Sequence, residues 1–187
     1  MTPRRPTPKL KRLNLTERHR WTAAPGCKIL VLGRGAARID YPDAWHMQIT
    51  DDSVELHDRA PPDNDFVFGL SWHRWPLLPQ AQIPLAQRVR AAIDGDERKL
   101  NVIEPVVEET RIDTQFAWIH AEFIDPATGR EACARLAIGR KADVQALLTF
   151  DFWRSDQAAC KLRWNAILAS MQLARWVDDP HKGPVFS

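Results

Sequence analysis

Cysteine is scarce in this chain and badly placed for metal or redox work. Its three thiols, Cys27, Cys133 and Cys160, are odd in number and far apart, and no Cys-x-x-Cys occurs. That excludes a zinc ribbon or a thioredoxin-like pair and suits a reducing compartment. Long apolar runs are missing as well, and none approaches the ~20 residues needed to cross a bilayer. Residues 1–20 carry Pro, Lys, Arg and scattered Leu where a signal peptide would need an apolar stretch. The expected location is therefore the cytoplasm, with no membrane partner. There is no Gly-x-Ser-x-Gly elbow, and no His pair has the i, i+4 spacing of a zincin.

Charge is nearly balanced, at a formal +2, but unevenly spread. Residues 1–20 hold seven Lys/Arg against the single acid Glu17, which leaves the rest of the chain near −4. Residues 1–22 combine that cluster with Pro and show no periodicity, which predicts a flexible basic arm ahead of a single domain over 23–187. Arg4, Arg5, Lys9, Lys11 and Arg12 are the candidate polyanion contacts. Salt-sensitive nucleic-acid association is the functional reading of the arm. With no aromatic before Trp21 to stack on bases, a solvated tail is the preferred one.

With apolar residues at 44% and charged residues at 27%, a sizeable core can form. Cys27–Leu32 is a short apolar run bounded by Pro25-Gly26 and Gly33. Ala37–Tyr41, Trp45–Ile49, Val54–His57 and Phe66–Trp72 alternate with the two-residue period of half-buried strands, which predicts an antiparallel meander. The period then lengthens. Pro84 opens a helix with Leu85, Val89, Ala92 and Ile93 on one face, and Gly95 lies just past its end. Strands are predicted over Val102–Val107, Arg111–Phe123, Arg130–Ile138 and Val144–Trp153, with a hairpin loop at Asp125–Gly129 and a turn at Gly139-Arg140-Lys141. In the second of these, Phe116, Trp118 and His120 share a face. Ser155 is placed to cap a closing helix whose stripe is Cys160, Trp164, Ile167, Leu168 and Met171. The fold class is α+β, a mostly antiparallel central sheet covered by two main helices.

Two segments carry a family resemblance. Tyr41-Pro42-Asp43-Ala44-Trp45 resembles the opening, and Trp164 through Leu173 the closing helix, of the PsbP/Mog1-like group of α/β/α folds. The resemblance covers residues 28–175 and implies varied binding and accessory roles rather than one enzyme or one ligand.

The sites compete with plainer readings. Gly33-Arg34-Gly35 follows a strand like a nucleotide loop, but Arg38 stands where a third glycine belongs and Pro42 arrives before any helix. A turn is preferred. His46, His57, His73 and His120 fall on separate strands; Glu55, His57 and His73 could share a face, yet hydrogen-bonded or surface histidines are the preferred reading, and no metal is expected. Cys160 reads as a buried structural thiol. Trp72-His73-Arg74-Trp75 is the most ligand-like segment, because Trp beside Arg is common at recognition sites, yet the preferred reading packs Trp72 in the core and lays Trp75 over a helix edge. With no catalytic residue and no cofactor identified, the leading expectation is a non-enzymatic, bacterial, cytoplasmic adaptor that binds another protein. The alternative is a small-molecule-binding protein or small enzyme with a cleft lined by Trp72, His73 and His120.

Overall fold

The computed structural model describes residues 15–51, 53–74, 83–111 and 113–184. Among the described residues, two sheets and two helices make three layers. A small sheet pairs β1 (Cys27–Leu32), β2 (Ala37–Pro42) and β11 (Gln172–Leu173) in the order β1-β2-β11. The large antiparallel sheet contains β3 (His46–Ile49), β4 (Val54–His57), β5 (Phe66–Arg74), β6 (Asn101–Val102), β7 (Val107–Arg111), β8 (Thr114–Ile124), β9 (Glu131–Lys141) and β10 (Val144–Trp153). Its order is β3-β4-β5-β10-β9-β8-β6, with β7 also paired to β8. The predicted meander is thus divided: its first two strands form a separate hairpin, and the next three build one side of the large sheet.

Alternation along the long strands sorts side chains onto two faces. Phe66, Phe68 and Leu70 of β5, Leu148, Phe150 and Phe152 of β10, and Phe116 of β8 pack with helix α2 (Gln157–Ser170) and the small sheet. Ala117, Ile119 and Ile138 point the other way, against Leu85, Val89 and Ile93 of helix α1 (Leu85–Asp94). On α2, Cys160, Trp164, Ile167 and Leu168 are buried, as their spacing predicts, and Met171 follows at the C-cap. Phe150 stacks on Trp164 at 6.1 Å between centroids and only 6° between planes. The end of α2 is tied to β2 by polar contacts. Arg38 donates to the Ser170 carbonyl (3.1 Å) and to Asp40 (2.7 Å), and the Ser170 hydroxyl accepts from the Asp40 N–H (2.9 Å).

Several boundaries differ from expectation. Gly139-Arg140-Lys141 is strand rather than turn: a Cβ on Gly139 would lie 2.9 Å from the Phe116 ring, so the glycine serves packing inside β9. The turn falls after it, with Ala142 at φ 48°. Strand 102–107 is broken, and the break includes Pro105, which has no N–H for a ladder. The long strand expected from Arg111 begins at Thr114 as β8, and Arg111 itself ends β7, which pairs with β8 as a hairpin. Ser155 makes no cap; it lies in a 3₁₀ turn, Arg154–Asp156, and its hydroxyl contacts Asp156 at 3.2 Å. The closing helix, expected to run through Leu173, ends at Ser170, and Gln172–Leu173 form the two-residue strand β11.

Candidate functional site

The glycines that resemble a nucleotide loop form the turn between β1 and β2. Gly33, Arg34 and Gly35 all have positive φ (56°, 60° and 99°), a region that disfavours side chains with a Cβ. Their second role is close approach. A Cβ on Gly33 would fall 2.1 Å from the Trp72 indole, and one on Gly35 would fall 1.9 Å from the Arg175 carbonyl oxygen. The segment after β11 runs along this turn: Ala174, Arg175 and Val177 each donate a backbone bond of 2.9 Å, to Ala36, Gly35 and Arg34 respectively.

That docking brings Trp176 beside Trp72, ring centroids 6.0 Å apart and edge to face. Arg74 lies over Trp176 with its guanidinium carbon 4.9 Å from the ring centroid, within the reach of a cation–π contact. Arg74 also approaches Asp143 at 3.8 Å. Trp72 is partly buried against the core, whereas Trp176 is 43% exposed. Arg34 on this turn and Arg175 on the segment that runs along it are both exposed. Nearby, Lys141 binds Asp113 at 2.6 Å and holds that carboxyl below the usual range, with a smaller contribution from Arg175. The result is an aromatic platform rimmed by arginines from three parts of the chain.

Of the expected site residues, Trp72 and Arg74 belong to this platform. Trp75 lies outside the described residues, as do Arg4, Arg5, Lys9, Lys11 and Arg12. His73 points to the opposite face of β5 from Trp72, toward α1, where burial and then the Arg88 charge lower its pKa. His120 shares the face of Trp72 but sits three strands and several residues away; Trp72 pairs through Ala146 and Gly139 to Phe116, four positions earlier on β8. The three therefore do not line one cleft. Glu55 and His57 do share a face, with Oε2 and Nε2 3.5 Å apart. Among the described residues, no group of three His, Cys, Asp or Glu comes together to hold a metal.

A second polar group lies beneath α2. His120 on β8 pairs in register with Arg135 on β9, and both point into the core face. They are only 1% and 6% exposed, and Trp164 of α2 is 1% exposed. Both His120 nitrogens, Arg135 Nε and Trp164 Nε1 are shut from solvent and have no hydrogen-bond partner among the described residues. The Arg135 guanidinium carbon is 5.9 Å from the Phe152 ring and 5.9 Å from the Trp164 ring. Burial, then the Arg135 charge, lower the His120 pKa, so the imidazole is neutral at pH 7. Burial also pushes Cys133 up to about 11 and raises Cys160, so both thiols stay protonated. Arg135 interrupts the small apolar row Ala132-Cys133-Ala134 and Leu136-Ala137-Ile138, a signal visible in sequence. Trp176 had no such signal, since it follows the last periodic helix residue.

Comparison with known structures defines the class first. Cyanobacterial PsbP (CyanoP) from Synechocystis sp. PCC 6803 superposes with a TM-score of 0.61 at 9% identity, over 81% of this chain and 94% of that one. LpqN, involved in cell envelope biogenesis of Mycobacterium tuberculosis, gives 0.55 at 10% identity, over 78% and 89%. The fold is PsbP/Mog1-like. A family model described as Alr1449 matches residues 28–177. The uncharacterized protein alr1449 of Nostoc sp. (strain PCC 7120) is 30% identical over 175 residues, 93% of this chain and 91% of its own. This chain belongs to the Alr1449 family. Among the described residues, no helix is long and apolar enough to cross a membrane.

Proposed function

We propose that the protein is a non-enzymatic protein-binding domain that docks its partner on the Trp176–Trp72–Arg74 platform. The observation that carries this reading is Trp176, a large aromatic left 43% exposed although its neighbours pin its backbone in place. Trp and Arg dominate binding energy at interfaces because they bury much area while keeping a polar handle. A pinned ring costs little further entropy on docking. Arg34, Arg74 and Arg175 at the rim favour a partner surface that presents carboxylates around an apolar centre. Three unpaired cysteines support a reducing, cytoplasmic setting.

The test is affinity capture from native lysate with the full chain, a chain lacking residues 1–14, and a Trp176→Ser, Arg74→Ser chain. A partner retained by the first two at moderate salt and lost by the third supports the platform. Anchor residues of this kind cost at least about 2 kcal/mol when truncated, a thirtyfold loss of affinity or more. Unchanged capture by the double variant would reject the platform. Binding that requires residues 1–14 and collapses with salt would instead support association with a polyanion through the arm.

A further inference from the structure

We propose that the buried group under α2, formed by Arg135, His120 and Trp164, is a binding site for a small organic monocarboxylate. It is independent of the protein-docking platform, which lies on another part of the molecule. The argument begins with charge. Arg135 is buried among Phe152, Trp164 and the neutral thiols of Cys133 and Cys160, and no described carboxylate forms an ion pair with it. Removing a guanidinium from water is costly unless an anion and hydrogen-bond acceptors replace the lost hydration. The nearest acids do not supply them. Glu122, one row away on β8, is engaged by Arg154 at 3.3 Å. Glu104 stops 4.0 Å from His120 Nδ1 with its side chain 53% exposed.

The chemistry of the ligand follows from what is left unsatisfied. Arg135 Nε–H and Trp164 Nε1–H are donors only, and a neutral imidazole adds one more donor. Such a set fits an acceptor-only oxyanion, and an Arg edge pairs two N–H groups with the two oxygens of a carboxylate. One fixed positive charge matches a monoanion, whereas a phosphate dianion would leave excess buried charge. The walls are aromatic, so the remainder of the ligand is apolar. A free small molecule is the source rather than a partner's side chain, because the donors are at least nine-tenths buried beneath a helix. Glu104, half in solvent and beside His120, marks the mouth and competes electrostatically with any entering carboxylate.

The experiment titrates the full-length protein with acetate, benzoate and inorganic phosphate in a carboxylate-free buffer, following the indole N–H resonances. The Trp164 resonance is identified by its loss in Trp164→Phe. A saturable shift of that resonance by acetate or benzoate, stronger than by phosphate, is expected. Arg135→Met should weaken binding about tenfold or more, while folding with an unchanged or higher melting temperature in ligand-free buffer, because it removes an uncompensated charge. Glu104→Gln should tighten binding, because it removes the competing carboxylate. The site is overturned if neither carboxylate moves the Trp164 resonance, if Arg135→Met binds as well as wild type, or if phosphate binds best.

Discussion

His120 shows how one buried side chain ties stability to pH. Its folded pKa lies below the usual 6.5, first through burial and then through Arg135 and Lys161, while Glu104 and Glu122 act in the opposite direction. The unfolded chain therefore takes up a proton that the folded one resists, and stability must fall as pH drops below 6.5. His73 is shifted the same way, by burial and Arg88. We expect the denaturant midpoint to decline from pH 7.5 to pH 5 and the decline to be shallower in His120→Asn. An equal slope in that variant would assign the dependence elsewhere. Asp151 works against this trend: burial raises its carboxyl, although Arg98 reaches its Oδ2 at 2.7 Å and partly offsets the shift. Arg98 in turn is held by both oxygens of Asp96, at 2.9 and 2.8 Å, and lies 4.8 Å over Phe123, so the chain leaving α1 is fastened to the sheet by one arginine.

Among the elements, the β1–β2 hairpin is the most exacting, because its turn must admit the Trp72 indole on one side and the Arg175 carbonyl on the other. Gly35→Ala meets both a positive φ of 99° and a backbone atom that cannot move without shifting β11. Strain and overpacking together should destabilise the protein on the order of 3 kcal/mol, visible as a lower denaturant midpoint. Because Trp176 is seated by the same backbone bonds, the variant should also weaken partner capture. A chain of wild-type stability would show that the turn relaxes freely. The closing helix illustrates the opposite case. Its stripe was readable from spacing alone, since Cys160, Trp164, Ile167 and Leu168 lie on the one face that meets the sheet. Its start was not, because the 3₁₀ turn before it is set by how β10 delivers the chain and not by the capping preference of Ser155.

At the scale of the whole molecule, the two ends of the described chain meet. Thr16 and Arg20 donate backbone bonds to the carbonyls of His181 and Lys182, and the buried Trp21 donates from Nε1 to the Pro180 carbonyl at 2.9 Å. We therefore draw the boundary of the stabilising unit ahead of residue 15 as a proposal of our own. Deleting residues 1–14 should leave the melting temperature unchanged, whereas Trp21→Ala should cost about 3 kcal/mol. A melting temperature lowered by the short deletion would assign the arm a structural role.

The sequence by itself determined the types of the long elements, the two apolar faces and the α+β class, because those follow from local periodicity: period two along Phe66–Trp72, and helical spacing along Leu85–Ile93 and Cys160–Leu168. It also placed Phe116 and His120 on one face of β8. Only the tertiary structure decided which strands became neighbours, that β1 and β2 leave the main sheet, and that Gly139 is strand. The same holds for both candidate sites. Trp72, Arg74 and Trp176 meet because β11 carries the chain back along a glycine turn, and Arg135, His120 and Trp164 meet because two paired strands lie beneath one helix. Alternation tells which face a side chain takes, but proximity between residues a hundred positions apart depends on strand order and helix packing, and no local pattern encodes either.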